Sequence, residues 1–476
     1  MNIKVNCHKF QLSNGLTVLF CPQHQAPLFA ANIIARVGSV NEGPGLTGVS
    51  HFLEHLMFKG TANLGPLDAE AEAPILAKID ALAAERLQEQ AKQRTWYGQG
   101  NSARIEELTR QIAALEAEVK PYNVPNEMWG LYQRHGGVGL NAGTGCDGTH
   151  YYVTLPKNKL ELWAYLEADR LNKPIFREFY SEREVVQEER CQRNDNDPDG
   201  MLREQVNALL DLGSPYEAPI VGWPRDLQTL TRAEVNDYFA RYYAPANLVV
   251  AIVGDLELEE VREVVTHYFG AIPARPAPPW RFAERGVQRG ERRITVEFEA
   301  SPRLLIGYPG PQPGHPDQYA LDVACEVLAA GRNSRFYRHL VESGLAFNAV
   351  IYQRSRAWNN DIMLALLPRE PHSCAELEEA AQREIALLCE EGPQPRELER
   401  VRTRLQVDGV AGLQSPADLA DSLAMAEAFR GGWEQFDDCQ RFLEVSGEDV
   451  QRVLTEYLCP QRCTRGELIP KRVGST

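Results

Sequence analysis

Three side chains within five positions of "SHFLEHLMFKG" (50–60) have the types and spacing for metal chemistry: His51, Glu54 and His55. On an α-helix, residues three and four apart share a face, so both imidazoles reach one ion. The glutamate between them then lies beside the ion's open position. Zinc brings the pKa of a bound water to about 7, and a neighbouring carboxylate can take its proton. This makes His51 and His55 candidate zinc ligands and Glu54 a candidate general base. The apolar neighbours Phe52, Leu53, Leu56, Met57 and Phe58 are expected to bury the helix. The competing reading is a pair of histidines satisfied by backbone partners.

A catalytic zinc needs a third protein ligand. None of the other eight histidines (8, 24, 135, 150, 267, 315, 339, 372) stands in a helical ligand pattern. "YSEREVVQEERCQRNDNDPDG" (180–200) offers carboxylates instead, since Glu182 and Glu189 are seven apart, two helical turns, on one face. Val185 and Val186 between them are expected to face inward. Solvated glutamates on a helix surface are the competing reading.

The chain of 476 residues is long enough for two or more domains with real cores. Hydrophobic content of 43% and charged content of 24% are those of a globular protein. A net charge of −16 without a Lys/Arg block argues against nucleic acid and suits a peptide or basic protein segment. The N-terminus lacks the apolar region of a secretory signal, and "LVVAIVG" (248–254) is too short to span a bilayer. Ten scattered cysteines read as free thiols of a reducing compartment. The expected location is the cytoplasm, or the periplasm if a leader has been removed.

The elements that must position these groups come in two related halves. "TRAEVNDYFARYYAPANLVV" (231–250) matches "SGEDVQRVLTEYLCPQRCTR" (446–465) at a constant offset of 215: Thr231 with Ser446, Val235 with Val450, Tyr242 with Tyr457, Pro245 with Pro460. Each begins with a capping box, Thr231 with Glu234 and Ser446 with Asp449, and each helix is broken by a proline. Each half opens on strand-like alternation, "GLTVLF" (15–20) and "RITVEF" (293–298). The expected organisation is α+β: an N-terminal domain over 1–275, a Pro-rich linker over 276–290 and a homologous C-terminal domain over 291–476. Ile75, Ile79 and Leu82, then Ile105, Leu108, Ile112, Leu115 and Val119, predict a helical hairpin inserted over about 68–120, with "YGQGNS" (97–102) as its turn. The hairpin is either an internal insert without a catalytic part or a docking arm for a partner.

These motifs resemble the pitrilysin/insulinase family of zinc peptidases, in particular the group of mitochondrial processing peptidase and its two-domain bacterial relatives. The resemblance is carried by "FQLSNGLTVLF" (10–20), "GSVNEGPGLTGVSHFLEHLMFKGT" (38–61), "GGVGLNAGTGCDGTHYYVTLP" (136–156), "FYSEREVVQEER" (179–190) and "YYAPANLVVAIVGDL" (242–256). It covers nearly the whole chain except the insert. It implies two homologous α/β-sandwich domains, each a mostly antiparallel sheet with helices on one face. It also implies one zinc per chain, held by His51, His55 and Glu189, with Glu54 as base and Glu182 orienting a ligand histidine. Glu127 lies nearer the family's usual distance from the motif but precedes the Gly-Gly strand, so Glu189 is the residue carried over. The strand around Asn141 and Ala142 is implied to lie at a sheet edge that takes substrate as an added strand.

One departure stands out. Catalytic relatives carry an Arg and a Tyr, seven apart, in the C-terminal half. "SRFYRHLVESGLAFNAVIYQR" (334–354) has Phe347 at the Tyr position and Leu340 seven residues earlier. Neither side chain donates a hydrogen bond. The resemblance therefore implies the zinc-bearing chain of a two-chain metalloendopeptidase whose homologous partner brings the Arg/Tyr pair. The alternatives are a self-sufficient homodimer using a donor such as His339 or Tyr337, and a non-catalytic peptide-binding or scaffold homologue.

Overall fold

The structure, a computed structural model, describes residues 5–94, 98–279, 285–436 and 439–471. Trp280–Glu284 of the expected linker and Tyr97 of the expected hairpin turn lie outside the described residues.

Strands β1 (His8–Gln11), β2 (Thr17–Pro22) and β3 (Leu28–Ala35) precede helix α1 (Val49–Leu56). Helices α2 (Ala69–Gln93), α3 (Ser102–Val119) and α4 (Glu127–Arg134) lead to strands β4 (Val138–Thr144) and β5 (Thr149–Pro156). Then come α5 (Leu160–Asn172), α6 (Phe179–Arg190), α7 (Pro198–Leu210), α8 (Pro224–Thr229), α9 (Arg232–Tyr242), β6 (Leu248–Gly254) and α10 (Leu258–Phe269). The second half runs β7 (Arg292–Phe298), β8 (Arg303–Pro309), α11 (Asp317–Ala329), β9 (Ala346–Ser355), β10 (Asn360–Pro368), α12 (Cys374–Glu391) and α13 (Pro395–Ala411). It closes with α14 (Pro416–Phe429), α15 (Cys439–Glu444), α16 (Gly447–Tyr457) and β11 (Thr464–Pro470).

Local chemistry sets many of these boundaries. Thr231 and Ser446 both form the expected reciprocal capping boxes, with Glu234 and Asp449. Asp68 caps α2 by accepting from the Ala71 N–H, and Asn101 caps α3 by accepting from the Arg104 N–H. The expected hairpin forms: Ile75, Ile79, Leu108 and Ile112 are buried, and Leu82, Leu115 and Val119 are partly buried against the core.

The duplication extends to the sheets. The first has strand order β1-β2-β6-β3-β5-β4 and the second β7-β11-β8-β10-β9. In each, one pair is parallel, β2 with β6 and β7 with β11, and every other pair is antiparallel. Val249 faces Thr17 in one parallel pair and Thr464 faces Arg292 in the other, which carries the offset of 215 from the helices into the strands. Edge strand β4 of the first sheet thus corresponds to edge strand β9 of the second.

The described chain falls into two compact units. One comprises Val5–Glu188 and Ile220–Pro279; the other comprises Glu189–Pro219 and the chain from Arg285 onward. In the second, α11, α12, α13 and α16 pack on one face of the sheet, over Leu304, Ile306, Ile362 and Leu364. Helix α7, from the N-terminal half of the sequence, covers the opposite face through Leu202, Val206 and Leu210 against Leu305, Met363 and Leu468. Two glycines make room for it. A Cβ on Gly466 would stand 2.2 Å from Val206 Cγ2, and one on Gly307 2.7 Å from Leu210 Cδ2. Just beyond α7, Asp211 is fully buried and accepts from Arg356 Nη1 at 2.8 Å. No helix among the described residues is long and apolar enough to cross a membrane.

Candidate metal centre

Helix α1 starts where Glu42 accepts the backbone N–H groups of Gly48 and Ser50, at 2.7 and 2.8 Å. Those are donors that a helix start leaves without intrahelical partners. Phe52, Leu53 and Leu56 are fully buried, and the ring of Phe52 meets that of Phe179 on α6 at 4.9 Å. Apolar packing thus sets α1 against α6 and turns the motif face toward the glutamates. On that face His51 and Glu54 are buried, and the ring centroids of His51 and His55 stand 4.8 Å apart.

The third group comes from α6. The two units divide between Glu188 and Glu189, but Glu189 is the next residue of the same helix and is carried by its last turn. Ligand atoms of His51, His55 and Glu189 all lie within 4.8 Å of one another, the one such cluster among the described residues. Two imidazoles and one carboxylate form a donor set that zinc takes in catalytic sites. Arg193 Nη1 is 2.8 Å from Glu189 Oε1.

Two turns earlier on α6, Glu182 Oε1 lies 2.9 Å from His55 Nδ1. Lys59 Nζ meets Glu182 Oε2 at 2.6 Å and Glu178 Oε2 at 2.9 Å. Burial pushes the Glu182 carboxyl up, but the hydrogen bonds from His55 and Lys59 outweigh it and hold the group below the ordinary glutamate value. An ionised Glu182 accepts a hydrogen bond from His55 Nδ1–H, which leaves the Nε2 lone pair for a metal. Val186 faces inward as expected. Val185 does not: it is 51% exposed, because it shares the face of Glu182 and Glu189, three and four residues away.

Glu54 has a partner the sequence did not announce. Thr144 Oγ1, at the end of edge strand β4, donates to Glu54 Oε2 at 2.6 Å. Asn141 and Ala142 sit on the same strand, opposite Tyr152 and Tyr151 of β5, with the strand's other side at the sheet edge. The Asn141 side chain turns back to accept the Ala142 N–H at 2.9 Å. Glu127 accepts the Gly65 N–H at 2.6 Å and lies outside the cluster of ligand atoms. Lys59 did have a signal, a cation one helical turn past His55, whereas Thr144 had none.

The second unit reverses this chemistry. Helix α11, which follows β8 as α1 follows β3, carries Asp322, Cys325 and Glu326 at the spacing of His51, Glu54 and His55. Where His55 meets a carboxylate from α6, Glu326 meets Arg404 of α13 at 3.4 Å. In the same unit Leu340 is buried in the core and Phe347 is 63% exposed on β9.

Known proteins share this architecture. The family model described as Insulinase (Peptidase family M16) matches residues 18–73, which include α1. The one described as Peptidase M16 inactive domain matches residues 229–405. The chain is 26% identical over 473 residues to the zinc protease PqqE of Helicobacter pylori, covering 96% of this chain and 92% of that one. An uncharacterized zinc protease of Streptomyces coelicolor is 24% identical over 439 residues, covering 90% of this chain and 82% of that one. Among solved structures, a protease from Helicobacter pylori shares the fold with a TM-score of 0.82 at 24% identity, covering 98% of this chain and 100% of that one. A putative M16-like peptidase from Alicyclobacillus acidocaldarius shares it with a TM-score of 0.75 at 17% identity, covering 99% of each. The duplicated α/β fold, the two M16 family models and these relatives together support placing the chain in the insulinase/pitrilysin family of peptidases.

Proposed function

We propose that this chain is the zinc-bearing subunit of a metalloendopeptidase. The observation that supports it is the convergence of His51, His55 and Glu189 within 4.8 Å, with Glu54 on the same helical face. His51, His55 and Glu189 would hold a zinc ion, which would supply a Lewis acid for a scissile carbonyl and for a water near neutral pH. Glu54 takes the proton of the attacking water and delivers it to the leaving amine. Thr144 donates to its Oε2 and holds the carboxylate in place for that transfer. Glu182 orients His55. A peptide adds along β4, held by backbone bonds that demand little of its sequence, with Asn141 and Ala142 beside it.

The missing half of the active site we assign to a homologous partner chain. Leu340 is core and Phe347 carries no donor, while His339 Nδ1 is already engaged by Glu384 at 2.8 Å. Tyr337 is the remaining local donor that would make a homodimer self-sufficient. A scaffold role is disfavoured by a complete donor set. Free thiols such as Cys21, Cys325 and Cys463 favour a reducing compartment, and we place the chain in the cytoplasm.

Incubating the zinc-loaded chain with a mixed peptide pool, with and without chelator, tests this by mass spectrometry. Expected are about one zinc per chain, and chelator-sensitive cleavage that appears when a homologous chain bearing Arg and Tyr is added. Glu54→Gln should keep the metal and abolish cleavage; undiminished turnover in that variant would overturn the assignment. Chelator-sensitive cleavage by the chain alone would assign the missing donor to the chain itself.

A further inference from the structure

The hairpin α2–α3 directs three carboxyl groups, Glu72, Asp80 and Glu116, at one target, the chain segment that leads into and forms α6. Glu72 and Arg177 are both buried and pair in two parallel bonds, Arg177 Nε to Glu72 Oε1 at 2.7 Å and Nη2 to Oε2 at 2.9 Å. The same guanidinium donates from Nη1 to the carbonyls of Thr61 and Leu64, at 2.9 and 3.2 Å. Arg177 therefore joins the start of the hairpin, the loop after the motif helix and the lead-in to α6. At the other end of the insert, the Glu116 carboxyl of α3 lies near the backbone N–H of Ser181, in the first turn of α6. That donor has no intrahelical partner, and a negative charge there complements the helix dipole. Between these two contacts Asp80 lies 3.5 Å from the Tyr180 hydroxyl and 3.2 Å from Arg232.

The segment needs outside support. Glu178, the residue before α6, has a φ of 54°, a left-handed conformation unfavourable for a residue with a Cβ. Neighbouring groups must hold it, and Lys59 is one of them.

We propose that the hairpin over 68–120 is a positioning element of the metal centre: Glu72 and Glu116 hold the start of α6 in the place from which Glu182 and Glu189 reach the motif histidines. This rests on the zinc reading above and goes beyond it, since it gives the insert a task inside the chain. A helix that starts slightly out of place carries its error along its axis, two turns per seven residues, to Glu189. An insert serving as a docking arm has no need of a buried Glu72–Arg177 pair at the entry to α6.

The full chain is titrated with zinc against a chromophoric chelator, alongside Glu116→Ala, Glu116→Gln and Ile112→Val. Ile112 packs the same hairpin into the core without touching α6's first turn through a polar bond. Glu116→Ala is expected to weaken zinc binding about tenfold, the effect of losing support to a ligand. Glu116→Gln, which keeps an oxygen beside that N–H, should recover part of it. Ile112→Val should lower the melting temperature and leave zinc affinity unchanged. The absorption bands of the cobalt-substituted chain should change in Glu116→Ala and not in Ile112→Val. Should Glu116→Ala fail to fold, a replacement of Glu116 by Asp, with a shorter reach, supplies the same comparison. Equal zinc affinity and equal cobalt spectra across all variants would overturn the proposal, as would affinity that merely follows melting temperature. A wild-type chain that binds no zinc removes the metal centre itself, an outcome told apart because it needs no variant.

Discussion

Thr144 donates a 2.6 Å hydrogen bond to Glu54, and this joins the edge strand of the first sheet to the helix bearing the metal motif. The base candidate is thus oriented by the strand along which a peptide would lie. A carboxylate held by such a bond has a fixed plane.

Losing that bond should affect turnover more than binding. Thr144→Val is expected to lower kcat about tenfold or more, the size of a hydrogen bond to a charged group, with zinc content unchanged. Thr144→Ser should restore it. Steady-state kinetics on a cleavable peptide, with zinc measured on the same samples, check this. Equal kcat in wild type and Thr144→Val would remove Thr144 from the mechanism.

On the zinc reading Glu182 acts through His55, so its loss should appear as metal affinity. Glu182→Ala should bind zinc about 10–100-fold more weakly, while His55→Ala should retain almost none. Chelator competition separates the two. Wild-type affinity in Glu182→Ala would leave the 2.9 Å contact without a role.

Asp322, at the first position of the reversed motif in the second unit, supplies a pH signature. Burial, and then the charge of Glu326, push its carboxyl up to about 7 from 3.8, against a smaller opposing effect of Arg430. Between those values the folded chain keeps a proton that the unfolded chain has released, so its contribution to stability falls as pH rises and is constant above about 7. Asp322→Asn keeps an oxygen for the Gln353 amide, now 3.3 Å from Asp322 Oδ1, and has no proton to lose. The variant should melt several degrees above wild type at pH 8 and match it near pH 4. A melting difference that does not vary with pH would contradict this.

Gly466 tests how α7 is seated. With Val206 Cγ2 2.2 Å from where a Cβ would stand, Gly466→Ala forces helix and sheet apart. Overpacking of this kind costs about 1–3 kcal/mol. A urea midpoint lowered accordingly is expected, and an unchanged midpoint would mean that the contact yields freely.

Much of this protein follows from local rules. The spacing of His51, Glu54 and His55 puts all three on one helical face wherever that helix lies. The capping boxes at Thr231 and Ser446 form from four neighbouring residues each, and the apolar seam of α2 and α3 follows from a repeat of three and four. The offset of 215 already marks the duplication, because the same short-range signals recur in each half.

What periodicity could not supply was direction and distant company. It places Val185 on the face of Glu182 and Glu189, yet only packing shows that this face looks away from the core while Val186 looks in. Thr144 and Glu54 are ninety positions apart, and Arg177 and Glu72 more than a hundred. α7 reads as an ordinary amphipathic helix, and its seat on the second sheet depends on two glycines far along the chain. The sequence by itself determined the donor types and their helical faces, since those depend on a few adjacent residues. The tertiary structure alone decided which faces meet, because that depends on the apolar surfaces they bury and on buried charges finding partners.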